Sequence, residues 1–451
     1  MALKKKAVIK RPSVLKSKKI PQPKASAFEA VDPRSVGIDP ATLQDYEAAM
    51  QQMVKKGELP GMASVVMRKG KVIHTGAWGL ADVEQGTPFS LDTFCRMFCA
   101  TKSFIATAFF KLVEEGQISP EDRLEQVLPA FANVTVKLEG ADNTVPPKSP
   151  ILLKHLMSHT SGIAYPPDLG EKAEDEVSKA YLKLQQLAAK GTTRNLKDFV
   201  DNIARVPLSL HPGSGYVYGF SFDVLARVLE IVTGNSLEKV LQEKVFNPLG
   251  MKDTKWSVTR HEVGRLAACY ANQKNWKLLY SSKATLVRPR PKLCRIDGNR
   301  ALDSHWLDGQ QCRVRSGGGF MGYLYGGLVS TVSDTFRFVY MLTRRGITMD
   351  GERFLKASTV AIMERNRVKE GDPVNFLGNI GVFRTDKGNN HYGMGGAACT
   401  YWSIDREDDV SIVWFTQHIN MPEFDELKGI DPKKADIWAL MHEATRKGLK
   451  K

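Results

Sequence analysis

The sequence predicts a mixed α/β (α+β) fold: one central antiparallel sheet built from both ends of the chain, flanked by helices, with a large, mostly helical insertion across the middle. Three observations carry this expectation. A helix pattern followed by a hairpin pattern stands near the N-terminal end, and three strand patterns follow one another near the C-terminal end. Between them, at 117–316, the chain turns polar, proline-punctuated and mainly helical in its periodicity. The sheet is therefore expected from 28–116 and 317–451, and the helical layer from the residues between.

Each element has a local reason. Nine Lys or Arg precede residue 25 and the first acid is Glu29, so this arm carries +9 of the formal net charge of +15. Residues 1–27 therefore read as a disordered basic tail. Asp39-Pro40 offers an N-cap and a first-turn proline, and Leu43, Tyr46, Met50 and Met53 follow at helical spacing up to Gly57. Ala63–Arg68 and Lys71–Gly76 flank Lys69-Gly70 as a hairpin. Ser103–Glu115 reads as a helix whose apolar face holds Phe104, Ala108 and Leu112, with Gly116 suited to its C-terminal cap.

Glu171–Arg194 reads as an exposed helix with a loop, and Val224, Leu225, Val228, Leu229 and Val232 as a helix ending at Gly234. The long basic stretch Arg260–Gly319, with Arg288-Pro-Arg290-Pro291, is expected to be a surface excursion bordering a pocket; it lacks the interleaved aromatics of a nucleic-acid site. Ile380–Arg384, Ala398–Ile404 and Val410–Thr416 read as strands, the last two joined by a turn at Asp405–Asp409. Asp431-Pro432 caps a final amphipathic helix containing Ile437, Trp438 and Met441.

Composition excludes several classes. With 42% hydrophobic residues the chain can fill a real core, yet no apolar run reaches the length of a membrane span and the N-terminus lacks a signal-peptide core. The six cysteines, at 95, 99, 269, 294, 312 and 399, contain no C-x-x-C pair. Reduced thiols in a cytoplasmic setting are expected, with the basic arm open to three readings: a nuclear or organellar address, a weak polyanion contact, or solvated tail.

Chemistry concentrates in three segments. In Phe98-Cys99-Ala100-Thr101-Lys102-Ser103, Cys99 and Lys102 are three apart and share one face at a helix start. A thiol at a helix N-terminus beside an ammonium group ionises more readily than a free one, which makes Cys99 a candidate nucleophile. The competing reading is a small buried hydrophobe. Spacing alone decides little, since Ser13-Lys16 and Ser236-Lys239 share it. The second segment is His211-Pro-Gly-Ser-Gly-Tyr216-Val-Tyr218-Gly219-Phe220, and the third is His391-Tyr-Gly-Met394-Gly395-Gly396-Ala397-Ala398-Cys399-Thr400.

Taken in order, these segments resemble the motifs of the serine β-lactamase, penicillin-binding protein and family VIII carboxylesterase superfamily. The first resembles its S-x-x-K, with cysteine in place of serine. The second resembles P-G-x-x-x-x-Y-x-N, with Tyr218 at the tyrosine and Phe220 at the asparagine, which makes the pocket more apolar. The third resembles the strand carrying K-T-G, H-T-G or W-G-G, with Met394 at its first position and His391 three residues upstream as a substitute. Ile151–Gly162, close to H-L-L-T-H-T-S-G, and Gly327–Phe338, close to G-L-x-S-T-x-x-D-x-x-R-F, resemble further segments of the same families.

The resemblance implies a β-lactamase/transpeptidase-like fold, a small-molecule acyl substrate and an acyl-enzyme on Cys99. Lys102 and Tyr218 would move the proton, Gly395 and Gly396 would let substrate lie along the strand, and the amides of Cys99 and Ala397 would hold the oxyanion. Loss of the cation at Met394 argues against a β-lactam or D-Ala carboxylate. Changes at Cys99, Phe220 and Met394 together leave a second reading open, a catalytically silent binding or scaffold module. His155 and His159, four apart on an expected helix, raise a zinc site. H-E-x-x-H lacks its glutamate here, so both are taken as structural and neither metal nor cofactor is expected.

Overall fold

The computed structural model describes residues 28–166, 172–189, 192–271, 293–297, 317–318, 327–365, 376–377, 382–384 and 391–419. The basic arm, Arg288–Pro291, Cys312 and the final helix expected from Asp431 lie outside the described residues.

Helix α1 (Pro40–Lys55) starts as expected: the Asp39 carboxylate accepts from Ala41 N–H, and Pro40 occupies the first turn. Strands β1 (Gly61–Arg68) and β2 (Lys71–Asp82) follow. Lys69 and Gly70 both take positive φ, 50° and 73°, the geometry of a type I′ hairpin turn. β3 (Thr87–Pro88) and β4 (Cys95–Arg96) lead to α2 (Thr101–Glu114). Gly116, at φ 70°, ends it as a Schellman cap, with Gly116 N–H on the Val113 carbonyl and Gln117 N–H on that of Leu112.

The middle of the chain supplies α3 (Leu124–Val127), α4 (Leu153–Met157), α5 (Glu176–Ala189), α6 (Leu196–Ile203) and α7 (Ser221–Thr233). Then α8 (Leu237–Leu241) runs through a π turn into α9 (Asn247–Leu249). The stretch 260–319, expected to be a surface excursion, holds β5 (Tyr270–Ala271) and β6 (Cys294–Arg295), and Tyr270, Ala271 and Cys294 are buried. Beyond it come β7 (Val329–Ser330), α10 (Val332–Thr343), α11 (Ala357–Met363), β8 (Phe376–Leu377), β9 (Val382–Arg384), β10 (His391–Gly395), β11 (Thr400–Asp405), β12 (Val410–Phe415) and β13 (His418–Ile419). No described helix is long and apolar enough to cross a membrane.

The main sheet has the order β3-β2-β1-β12-β11-β10-β9-β8, and each adjacent pair is antiparallel. The two ends of the chain meet in its middle, where Ala63 faces Phe415 and Val65 faces Val413. Period-two alternation sorts the side chains. Met62, Val66, Ile412 and Trp414 pack with Leu43, Tyr46 and Met50 of α1, and Tyr46 donates to Ser64 Oγ at 2.8 Å. Ala63, Val65, Trp402 and Val413 face the opposite way, into the core shared with Phe104 and Ala108 of α2 and Phe338 of α10. Each large side chain buried there contributes on the order of 1.5–3 kcal/mol, so the sheet and α2 form one rigid platform. A smaller sheet, β13-β5-β6, closes one end, with β13 parallel to β5.

Candidate active site

The Cys99 segment leaves β4, which pairs with β7 through Cys95 opposite Ser330 and Arg96 opposite Val329. Met97 N–H continues this ladder onto the Leu328 carbonyl at 2.8 Å. Phe98 then takes φ 44°, a left-handed conformation that costs on the order of 1–3 kcal/mol in a non-glycine residue. This turns the chain through the 3-10 turn Phe98–Ala100 into α2. Cys99 remains partly exposed while its neighbours Phe98, Ala100 and Lys102 are buried.

Lys102 and Tyr218 both stand close enough to Cys99 for its charge to act on them. Lys102 Nζ donates to the Gly318 carbonyl and sits 4.8 Å from the centroid of the Tyr218 ring. Burial pulls the Lys102 ammonium below its ordinary value, partly offset by the negative potential of Cys99 and Asp223. Desolvation drives Tyr218 well above the usual phenol value, reinforced by Cys99 and Tyr165. The tyrosine therefore keeps its proton and the lysine surrenders one more easily than a solvated amine does.

Two loops hold Tyr218. Gly219 lies against the loop after α4, where an added Cβ would stand 2.1 Å from the Ile163 carbonyl. His159 Nδ1 accepts from Gly219 N–H at 3.3 Å, and its ring lies 4.5 Å from that of Tyr218. Burial, and next the positive charge of Lys102, push His159 well below its ordinary value, so it stays neutral. Tyr165 meets Tyr218 edge-on at 5.2 Å. Asp223, buried in the first turn of α7, completes the surroundings: its Oδ2 lies 2.5 Å from where a Cβ on Gly318 would be. Tyr165, Asp223 and the role of His159 were not read from the sequence. An acid in the first turn of an otherwise apolar helix, five residues after Tyr218, was the available signal.

The third segment approaches from the sheet. Gly396 N–H donates to the Thr400 carbonyl and Cys399 N–H to that of Gly396, both at 2.8 Å, so Ala397, Ala398 and Cys399 form a three-residue hairpin loop. Strand β11 therefore begins at Thr400 and not at Ala398. Gly396 packs on the Cys99 segment: a Cβ there would stand 2.1 Å from the Met97 carbonyl, and Thr400 Oγ1 donates to the same carbonyl at 3.2 Å. Gly395, Gly396 and Ala397 keep partial exposure beside Cys99. Gly396→Ala is expected to force the hairpin away from Met97 and cut any Cys99 acylation by about a hundredfold, the cost of roughly 1 Å of misplacement. Single-turnover kinetics check it; an unchanged rate contradicts the packing argument.

Other expected site residues lie elsewhere. Phe220 is wholly buried, with its ring 4.5 Å from Tyr165 and 5.1 Å from Phe199, so it supports the site from behind Tyr165. Met394 is buried opposite Trp402 in the helix-side core. His391 pairs with Asp405 at the far end of β10, an odd number of residues from Met394 and so on the other face, and about 13 Å along the strand from Gly395. It does not stand in for Met394. The histidine pair is corrected too: α4 ends at Met157 and His159 lies beyond it at φ 52°, so the two do not share a helix face. His155 Nδ1 accepts from Leu152 N–H. Among the described residues no group of three or more His, Cys, Asp or Glu is arranged to hold a metal.

Behind β7, Thr331 caps α10 by accepting from Asp334 N–H at 3.1 Å, and Asp334 accepts from Asp253 N–H and Thr254 Oγ1. Burial outweighs these bonds and raises its carboxyl to about 6. A carboxyl raised on folding favours the folded state at low pH, and that contribution is lost as pH rises through about 6. Thermal melts should therefore show the stability of the unaltered protein falling relative to Asp334→Asn between pH 4 and pH 7; parallel curves would contradict it.

With this geometry in hand, comparison with known proteins places the chain. The family model described as Beta-lactamase matches residues 46–430, and the chain belongs to that family. Protein Rv1367c of Mycobacterium tuberculosis is 26% identical over 401 residues, covering 83% of this chain and 90% of its own length. Esterase EstB of Burkholderia gladioli is 31% identical over 228 residues, 50% of this chain and 54% of its own length. Among solved structures, EstCE1, a hydrolase with promiscuous acyltransferase activity, aligns with a TM-score of 0.68 at 24% identity over 90% of this chain and 98% of its own. Simvastatin synthase (LovD) from Aspergillus terreus aligns at 0.66 with 20% identity, over 89% and 97%. The structural likenesses fix the fold, and the chain's relatives include esterases and acyltransferases.

Proposed function

We propose that this chain is a hydrolase or acyltransferase acting on small esters or thioesters through an acyl-enzyme on Cys99. The observation that carries the reading is the convergence of Cys99, Lys102 and Tyr218 from two separate segments, with Lys102 Nζ 4.8 Å from the Tyr218 ring, beside the Gly395–Ala397 strand end. In the first step the sulfur forms a bond to the acyl carbon while Lys102 receives the thiol proton, and Tyr218 hands a proton to the departing alkoxide as the carbon–oxygen bond breaks. The N–H groups of Cys99 and Ala397 stabilise the transient oxyanion. Water or an acceptor alcohol then attacks the thioester, protons return by the same pair, and the free thiol is restored.

The surroundings of Cys99 favour an uncharged, apolar acyl group: Tyr165, Tyr216 and Tyr218 keep partial exposure there. A reducing, cytosol-like compartment would keep the thiol available. The test is intact-mass measurement after incubation with a p-nitrophenyl ester, beside Cys99→Ala. A mass gain confined to the unmutated protein, with release of nitrophenol, supports the reading. No adduct with any ester, and none from Cys99→Ser, would leave a scaffold that binds without turnover.

A further inference from the structure

The oxyanion pair comes from two segments that are far apart in sequence, Cys99 after β4 and Ala397 in the β10–β11 loop, and their separation has to be set by something. Besides Thr400, which bonds the Met97 carbonyl, one side chain from a third segment touches both. Gln417, wholly buried between β12 and β13, accepts from Arg96 N–H at 2.9 Å through Oε1. Its Nε2 donates to the Arg96 carbonyl at 3.3 Å, to the Ala398 carbonyl at 3.5 Å and to the Thr416 carbonyl at 2.9 Å.

The amide thus pairs with both backbone groups of Arg96, on the edge of β4 turned away from β7, as a neighbouring strand would. Its remaining contact reaches the carbonyl next to Ala397. The backbone around it is fixed in turn: Tyr270 N–H donates to the Gln417 carbonyl at 3.0 Å, Thr416 N–H to Cys399 and His418 N–H to Ala398. Cys399 holds φ 60°, a position in such a loop that usually takes glycine, so the hairpin is kept in shape by these outside bonds.

The geometry points to Gln417 as a positioning residue that sets the spacing of the two oxyanion N–H groups, an inference that rests on the acyl-enzyme reading above. Only a primary amide of this length both accepts from Arg96 and donates to Arg96 and Ala398. Gln417→Glu keeps the size and the acceptor and loses the donors; Gln417→Met keeps the size and loses both.

The test compares both variants with the unaltered full-length protein in the nitrophenol burst, in KM, and in alkylation of Cys99 by iodoacetamide mapped by peptide mass. Alkylation displaces iodide and builds no oxyanion, so it reports the thiol alone. The expected result is a burst rate lowered by about tenfold to a hundredfold, with KM and Cys99 alkylation unchanged. A burst that survives both substitutions overturns the inference, as does a parallel fall in burst and alkylation, or loss of the folded circular dichroism signal in both variants. Absence of any burst from the unaltered protein overturns the acyl-enzyme reading and this inference with it.

Discussion

Cys99→Ala is expected to abolish acylation outright, leaving no mass adduct and no nitrophenol burst, because Cys99 is the cysteine, among the described residues, that stands beside Lys102 and Tyr218. Cys95 and Cys269 are buried and held well above the ordinary thiol value by desolvation, and Cys294 is shifted the same way. Cys399 is partly exposed, but its loop turns it toward the α1 side of the sheet, among the residues packed with Trp414 and Met62. On the proposed reading, removing the thiol with binding left intact should lower turnover by roughly a millionfold, the scale seen when a single member of a catalytic unit is removed. Cys99→Ser supplies the sharper comparison. It restores the S-x-x-K pattern with Lys102 and Tyr218 in place, and is expected to keep measurable acylation. Its adduct should resist neutral hydroxylamine, whereas the thioester of the unaltered protein should be cleaved. A serine variant without any adduct would mean that the pocket has been rebuilt around sulfur, and equal adducts on Cys99→Ala would refute Cys99 as the nucleophile.

What could be read from the sequence followed the range of the interactions. The Cys99–Lys102 relation is local, set by helical spacing, and the sheet closed by both termini follows from period-two patterns at either end. The hairpin at Lys69-Gly70 and the cap at Gly116 are also local, and both appear as expected. Residues that reach the site through tertiary packing carry no such signal. Gln417 resembles any polar residue after a strand, and only the meeting of β4 with the β10–β11 loop gives its amide a task. His159 was misplaced because four-residue spacing suggested one helix face, while its positive φ breaks the helix and turns the ring toward Tyr218. His391 failed as a substitute for Met394 because alternation along a strand sends residues three apart to opposite faces. Phe220 was placed at the right position in the chain, yet its ring turns into the core, where Tyr181 and Phe199 receive it.

Lys102→Met should lower the acylation rate by about a hundredfold to ten-thousandfold while leaving Cys99 in place, the range typical for removal of a positioned acid or base. The buried amine is well suited to accept a proton: desolvation lowers its affinity for the proton, and the Gly318 carbonyl aims it. Cys99 and, after it, Asp223 work against full neutralisation, and the balance with desolvation sets where the lysine titrates. The sign fixes the pH dependence. Lysine becomes active on losing its proton, and its value lies below the ordinary 10.5, so the acylation rate should rise with pH along a limb placed below that of a solvated amine. Asp223→Asn removes the charge that favours the ammonium, and the limb should move to lower pH. Tyr218→Phe should also slow acylation, but with the limb unmoved, since the phenol stays protonated throughout this range. A rate profile in which Tyr218→Phe shifts the limb, or Asp223→Asn leaves it in place, would reverse the assignment of base and acid between the two residues.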